Sequence, residues 1–199
     1  MITVVDYGMG NLRNVRRAFQ EIGHEVIVTA DPGRISEAES IVLPGVGAFG
    51  EAIRRIDTLG LREPLMEHVK RGRRLLGICL GMQLLFDRSE ESPGAAGFGF
   101  LYGDVVRFGP GVKIPHIGWN DVAPKGNSSI FAAGDRIDCF YFVHSYYIPE
   151  IVETVATSDY GVRFSSAVQK ENVAGVQFHP EKSQTAGLTL LRRWTSYPQ

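Results

Sequence analysis

Apolar and polar residues alternate along this chain in two rhythms, and the change from one to the other divides it. Over the first 87 residues, short apolar runs alternate with stretches in which apolar side chains recur every three or four positions. "ITVVDY" reads as a buried strand. Leu12, Val15, Ala18, Phe19 and Ile22 then fall on one helical face, with Asn11 placed to cap the helix and Gly23 to end it. "EVIVT" and "SIVLP" read as two further strands, Phe49, Ala52, Ile53 and Ile56 as a second helix, residues 61–69 as a third, and "LLGI" as a fourth strand. This alternation predicts an α/β fold: an open, mostly parallel sheet with helices on both faces. In such sheets the working crevice lies beyond the carboxyl ends of the strands.

Residues 89–103, "SEESPGAAGFGFLYG", are glycine-rich and read as a loop. After them the period shortens to two. "DVVRF", "DCFYFVHSYYI", "ETVAT", "SAVQK" and "VAGVQF" read as short strands that extend the same sheet in antiparallel or mixed fashion, and a closing helix carries Leu188, Leu191 and Trp194. With no repeat, linker or low-complexity tract, residues 1–199 read as a single domain, and that length suffices for one full core.

Composition narrows the functional classes. A formal charge of -1 offers no electrostatic reason to expect nucleic acid or an anionic membrane as a partner. No apolar run approaches the ~20 residues of a bilayer span, and "MITVVDYGMG" lacks the layout of a signal peptide, so a cytoplasmic protein is expected. Its two cysteines, Cys79 and Cys139, are then expected as thiols. The five histidines show no ligand spacing, and neither a metal nor a cofactor is expected.

The chemistry concentrates in "RRLLGICLGMQLLFDRS", residues 73–89, where Gly77 and Gly81 stand two residues either side of Cys79. Strand, sharp turn and helix with small flanking residues is the layout of a nucleophile elbow. The start of the following helix favours a thiolate, and the Leu80 N–H just beyond is placed to receive an oxyanion. A free cysteine is also an ordinary small core residue, and Cys79 taken alone fits either reading. In "GVQFHPEKS", residues 175–183, an apolar strand ends at His179 and Pro180 holds that histidine extended. Glu181, two residues on, points to the same side and can fix the His179 ring. Alone the tripeptide is equally a surface turn; beside an elbow cysteine it completes a Cys-His-Glu triad. "LPGVGAFG", residues 43–50, exposes backbone N–H groups that could donate to an oxyanion, and it lacks the Lys-Ser/Thr of a phosphate loop. "DYGMGNLR" imitates a dinucleotide fingerprint, but Arg13 takes the place of the third glycine. Cys139 in "DCFYFV" reads as a core thiol, and His24 and His68 as solvated.

"GICLGMQLLF" together with "FHPEKS" resembles the class I, triad-type glutamine amidotransferases, in which a cysteine attacks the side-chain amide of glutamine and releases ammonia. More narrowly, "DYGMGNLRNV", "LPGVGAFG", "PHIGWN" and "YFVHSYY" resemble the glutaminase subunits of imidazole glycerol phosphate synthase, from histidine biosynthesis, over nearly the whole chain. The resemblance implies Cys79 as nucleophile, His179 as acid and base, and Glu181 as orienter. It implies Val46, Gly47 and Leu80 around the oxyanion, and Gln83, His144, Ser145 and Tyr146 around the glutamine. It further implies that Pro115, His116, Ile117, Gly118, Trp119 and Asn120 meet a cyclase subunit in a heterodimer; Ile117 departs from the methionine expected there, and Trp119 equally fits a core position at a strand edge. The chain shows no second site for an ammonia acceptor, which agrees with the need for a partner. A Cys-His-Glu peptidase could use the same triad without "PHIGWN", and a catalytically dead interaction subunit would not need all three triad residues.

Overall fold

The computed structural model describes residues 1–197. β1 (Ile2–Val5) leads into α1 (Leu12–Glu21), whose first turn is capped by the Asn11 side chain accepting from the Asn14 N–H. β2 (Val26–Thr29), α2 (Pro32–Glu37), β3 (Ser40–Gly45), α3 (Phe49–Thr58), α4 (Arg62–Lys70) and β4 (Arg74–Cys79) complete the first rhythm. α5 (Leu80–Gln83) follows directly on β4, and β5 (Arg88–Ser89) and β6 (Asp104–Arg107) bracket the glycine-rich loop. The second half contributes β7 (His116–Pro124), β8 (Asp138–His144), β9 (Tyr146–Tyr147), β10 (Thr154–Asp159), β11 (Arg163–Lys170) and β12 (Val173–Val176), then a single 3₁₀ turn at Pro180–Lys182 and α6 (Gln184–Ser196).

Nine strands form one sheet in the order β2-β1-β3-β4-β12-β11-β10-β7-β8; β5, β6 and β9 form a small separate one. β2, β1, β3, β4 and β12 run parallel, and every pairing from β12 outward to β8 is antiparallel. Apolar cores lie on both faces. One gathers Phe19, Phe142, Phe164, Phe178 and Trp194 under α1 and α6; the other gathers Phe49, Ile56, Leu65, Leu85 and Phe86 under α3, α4 and α5. The open, mostly parallel sheet with an antiparallel extension is the architecture expected from the two rhythms.

Several elements differ from the sequence reading: β6, read as extending the large sheet, pairs instead with β5 and β9 in the small one, because the chain before it leaves the sheet through the glycine-rich loop. α2 is unforeseen because only Ile35 in its six residues is buried, which leaves no periodicity; Asp31 supports it by accepting from the Gly33 and Arg34 N–H groups. β7 is unforeseen as a strand because its apolar residues are not confined to the buried face: His116 and Val122 are covered while Ile117 and Trp119 face outward. The run "DCFYFVHSYYI" is not one strand but two, broken at Ser145, with β8 in the large sheet and β9 in the small one. α5 has four residues only, and the apolar run that continues through Leu84, Leu85 and Phe86 is buried in turns.

Two side chains are likewise corrected. Cys139 is exposed, because on β8 the inward positions go to Phe140, Phe142 and His144 and leave Cys139 on the outer side. His68 is buried, its Nε2 2.9 Å from the Arg74 carbonyl, and His24 is half-buried.

Candidate active site

β3, β4 and β12 are neighbours, and their carboxyl ends deliver three segments side by side. The register pairs Gly45 with Cys79 and Val176 with Ile78. The "PGVG" loop, Cys79 and the Gln177-Phe178-His179 stretch therefore emerge together at the crevice that a parallel sheet offers. Cys79 takes φ 56°, ψ −112°, a conformation non-glycine residues avoid, as the elbow layout requires. The flanking glycines serve space rather than positive φ. A Cβ on Gly81 would lie 1.8 Å from the Leu43 carbonyl oxygen, and one on Gly77 would lie 2.6 Å from the Gly81 oxygen. α5 can therefore start against β3 only without side chains at these two positions.

The three expected side chains are brought together. His179 Nδ1 lies 2.8 Å from Glu181 Oε1, and Cys79, His179 and the Glu181 side chain are all nearly inaccessible to solvent. Burial on its own would lower the His179 pKa. The negative charge on the Cys79 sulfur and the bond to the Glu181 carboxylate outweigh it and raise the imidazole to about 10. With Nδ1 engaged by the carboxylate, Nε2 is left to exchange a proton with the sulfur. Burial, and then the same sulfur charge, push the Tyr7 phenol well up; Tyr7 is held by donating to the Pro44 carbonyl at 2.7 Å.

A cavity of about 310 Å³ opens over Cys79 and is lined by Val46, Gly47, Leu80, Gln83, Pro115, His144, Ser145, Tyr146 and His179 among others. The residues expected around oxyanion and glutamine are thus brought to one place. Gly47 has φ +100°, and a Cβ there would come within 2.8 Å of Met9 Cε. A larger hollow of about 620 Å³ lies between β8 and α6, beside Cys139 and the Arg193–Asp135 ion pair; its lining contains no histidine.

"PHIGWN" divides between interior and surface. Pro115 lines the cavity over Cys79, and His116 is buried. Alternation along β7 turns Ile117 (58% exposed) and Trp119 (49%) outward, which excludes Trp119 as a core residue. His116 Nδ1 instead meets His144 Nε2 at 2.9 Å, and His144 Nδ1 meets the Tyr146 carbonyl at 2.7 Å. A carbonyl only accepts, so His144 carries its proton on Nδ1, His116 donates to His144, and the Asn120 side chain completes the series 3.4 Å from His116 Nε2. Burial lowers His144 to about 3 and His116 to about 4, so both rings are neutral in the ordinary range.

The sequence reading missed Glu91 and Gln177. Glu91 stands in the glycine-rich loop, lines the cavity and accepts from the Phe49 N–H at 2.7 Å. Only its charge beside a loop could have flagged it. Gln177 was hidden as one polar residue in an apolar strand. Among the described residues no group of three or more His, Cys, Asp or Glu side chains is placed to hold a metal ion, and no helix is long and apolar enough to cross a membrane.

Comparison with known proteins places this geometry. Residues 3–195 match the family model for glutamine amidotransferase class-I. Imidazole glycerol phosphate synthase subunit HisH of Methanothermobacter thermautotrophicus is 46% identical over 195 residues, covering 98% of this chain and 97% of that one. The subunit of the same name from Aquifex aeolicus is 48% identical, covering 96% and 94%. Among solved structures, a glutamine amidotransferase crystal structure superposes with a TM-score of 0.78 at 19% identity, covering 98% and 97% of the two chains. PurLQS from Thermotoga maritima gives 0.75 at 21% identity, covering 98% and 97%. At such low identities these two establish the fold.

Proposed function

From the premise that the chain belongs to the class-I glutamine amidotransferases, and within them to the imidazole glycerol phosphate synthase subunits HisH, we propose that it hydrolyses glutamine through Cys79, His179 and Glu181 and hands the ammonia to a cyclase subunit. The observation that carries the reading is the buried constellation at the carboxyl ends of β3, β4 and β12, with His179 Nδ1 2.8 Å from Glu181. Cys79 Sγ attacks the side-chain amide carbon, and the carbonyl electrons move to oxygen, which the backbone N–H groups of the "PGVG" loop and of Leu80 receive. As the tetrahedral species collapses, His179 protonates the departing nitrogen and ammonia leaves, with a γ-glutamyl thioester remaining on Cys79. His179 then takes a proton from water, which attacks the thioester; glutamate leaves and the sulfur recovers its electron pair.

The cavity suits the substrate's far end. Glutamine carries an ammonium on its α carbon, and the Glu91 carboxylate supplies the complementary charge within the same lining. Ile117 and Trp119 offer an outward apolar pair for the cyclase, consistent with a heterodimer in which the acceptor site belongs to the partner. The whole of residues 1–199 would then serve as one amidotransferase domain, working in the cytoplasm, where a catalytic thiol stays reduced. The test is ammonia release from glutamine by wild type and Cys79→Ala, each alone and with a cyclase subunit. Glutamine-dependent ammonia from the wild type and none from the variant is expected; undiminished release by Cys79→Ala would remove the triad.

A further inference from the structure

The sulfur of Cys79 has a buried neighbour that the triad does not use. Gln177 lies just past β12, fully inaccessible to solvent, with its backbone N–H donating to the Ser166 carbonyl at 2.9 Å. Its side-chain Nε2 lies 3.8 Å from Cys79 Sγ, and its Oε1 lies 3.0 Å from Gln83 Nε2. Gln83 Nε2 also lies 3.1 Å from the Tyr146 carbonyl.

The orientation of both amides follows from that one carbonyl. Tyr146 O can only accept, so Gln83 must turn its NH₂ toward it. The second hydrogen of the same NH₂ needs an acceptor, so Gln177 must present its oxygen to Gln83. Its own NH₂ is thereby aimed at the sulfur. Flipping Gln177 would set its NH₂ against that of Gln83, and flipping Gln83 would set its oxygen against two other oxygens, in a buried place where an unpaired polar group is costly. A glutamine chosen merely to fill space at the end of an apolar strand would need none of this series.

We propose that Gln177 is a further catalytic residue of this site: its side-chain N–H holds the Cys79 sulfur and stabilises the charge there, in an orientation imposed by the Tyr146 carbonyl through Gln83. The bond is strongest when sulfur is anionic, before it attacks and again when the carbon–sulfur bond of the thioester breaks and the electron pair returns to sulfur. The N–H stays on nitrogen throughout, so proton transfer remains with His179.

The inference rests on Cys79 being the nucleophile, and its test separates the two. Gln177→Met keeps length and apolar volume and deletes the donor; Gln177→Glu keeps the shape and replaces the donor with oxygen. Iodoacetamide alkylation of Cys79 at neutral pH, read by peptide mass, needs no glutamine, and steady-state glutaminase turnover with the cyclase reads catalysis. Gln177→Met should slow both alkylation and kcat roughly ten- to a hundredfold while KM moves little, and Gln177→Glu should slow them further. Gln83→Met, which frees the Gln177 amide to rotate, should slow alkylation too. Wild-type alkylation and turnover in folded Gln177→Met, or in Gln177→Glu if the first variant does not fold, would overturn the role of Gln177. Wild-type alkylation in Gln83→Met would overturn the orienting half. Glutamine hydrolysis surviving in Cys79→Ala would instead defeat the nucleophile reading beneath both.

Discussion

The backbone at Cys79, φ 56° and ψ −112°, is strained by roughly 1–3 kcal/mol for a residue with a Cβ, and it is held there by the packing of β4 and α5 around it. Alanine at this position has the same strain, so Cys79→Ala should lose glutaminase activity while melting within a few degrees of wild type. Exposed Cys139 provides the contrast: Cys139→Ala should keep activity and change stability by no more than about 0.5 kcal/mol, measured by urea unfolding. The pH behaviour of the site follows from His179. Its folded pKa is raised above the ordinary histidine value, so the imidazolium persists through neutrality and its stabilising interactions are fully present below about 6.5. They are lost as pH rises through about 10, and with them the proton that the proposed mechanism gives to the departing nitrogen. Glutaminase rate in the complex should therefore fall through that alkaline range. A rate that stays flat past it would mean that His179 does not hold the charged form.

At the level of elements, the site depends on how closely β3, β4 and α5 approach. Gly81→Ala would drive a Cβ into the Leu43 carbonyl, 1.8 Å away, and should destabilise the chain by about 3 kcal/mol, with activity falling because the elbow moves. The histidine pair joining β7 to β8 makes an independent prediction. Both rings have folded pKa values below their unfolded ones, so their contribution is present above about 6.5 and is lost as pH falls through about 4 for His116 and about 3 for His144. His116→Asn should flatten the acid limb of the stability curve, read as the urea midpoint against pH. These packing relations also mark how far the sequence could be read. The cluster of Cys79, His179 and Glu181 was legible because these residues lie at element ends, where Gly-x-Cys-x-Gly and His-Pro-Glu keep a local pattern. The parallel half, α2 apart, was legible because its strands are apolar throughout and its longer helices are periodic. The His116–His144 pair, Glu91 and Gln177 were not legible, because their partners lie 28, 42 and 98 residues away and only the sheet order brings them together. β7 escaped notice because it covers core on one side and presents apolar side chains to solvent on the other.

Across the whole molecule, one sheet carries both the crevice over Cys79, among its parallel strands, and the outward Ile117–Trp119 pair, on the antiparallel extension. Pro115 and His116 link the two: the first lines the cavity above Cys79, the second bonds to His144, and both directly precede the exposed pair. A partner that covers Trp119 would therefore press on a strand that begins directly after a residue lining the cavity over Cys79. Trp119 lies half exposed on the surface, its one aromatic neighbour being Tyr141 edge-on at 6.0 Å, so Trp119→Ala should leave the fold and Cys79 alkylation intact. Burying a tryptophan contributes far more to an interface than an average contact, and its loss should weaken association with the cyclase by at least about 2 kcal/mol, measured by titration calorimetry. Synthesis from glutamine should fall in step, while synthesis from added ammonium salt should stay normal, since free ammonia bypasses the glutaminase. A variant that binds the cyclase as tightly as wild type and transfers nitrogen from glutamine at the same rate would place the docking face elsewhere on the molecule. A variant that binds normally yet loses only the partner's acceleration of glutamine hydrolysis would locate the effect in the β7 connection to the pocket rather than in affinity.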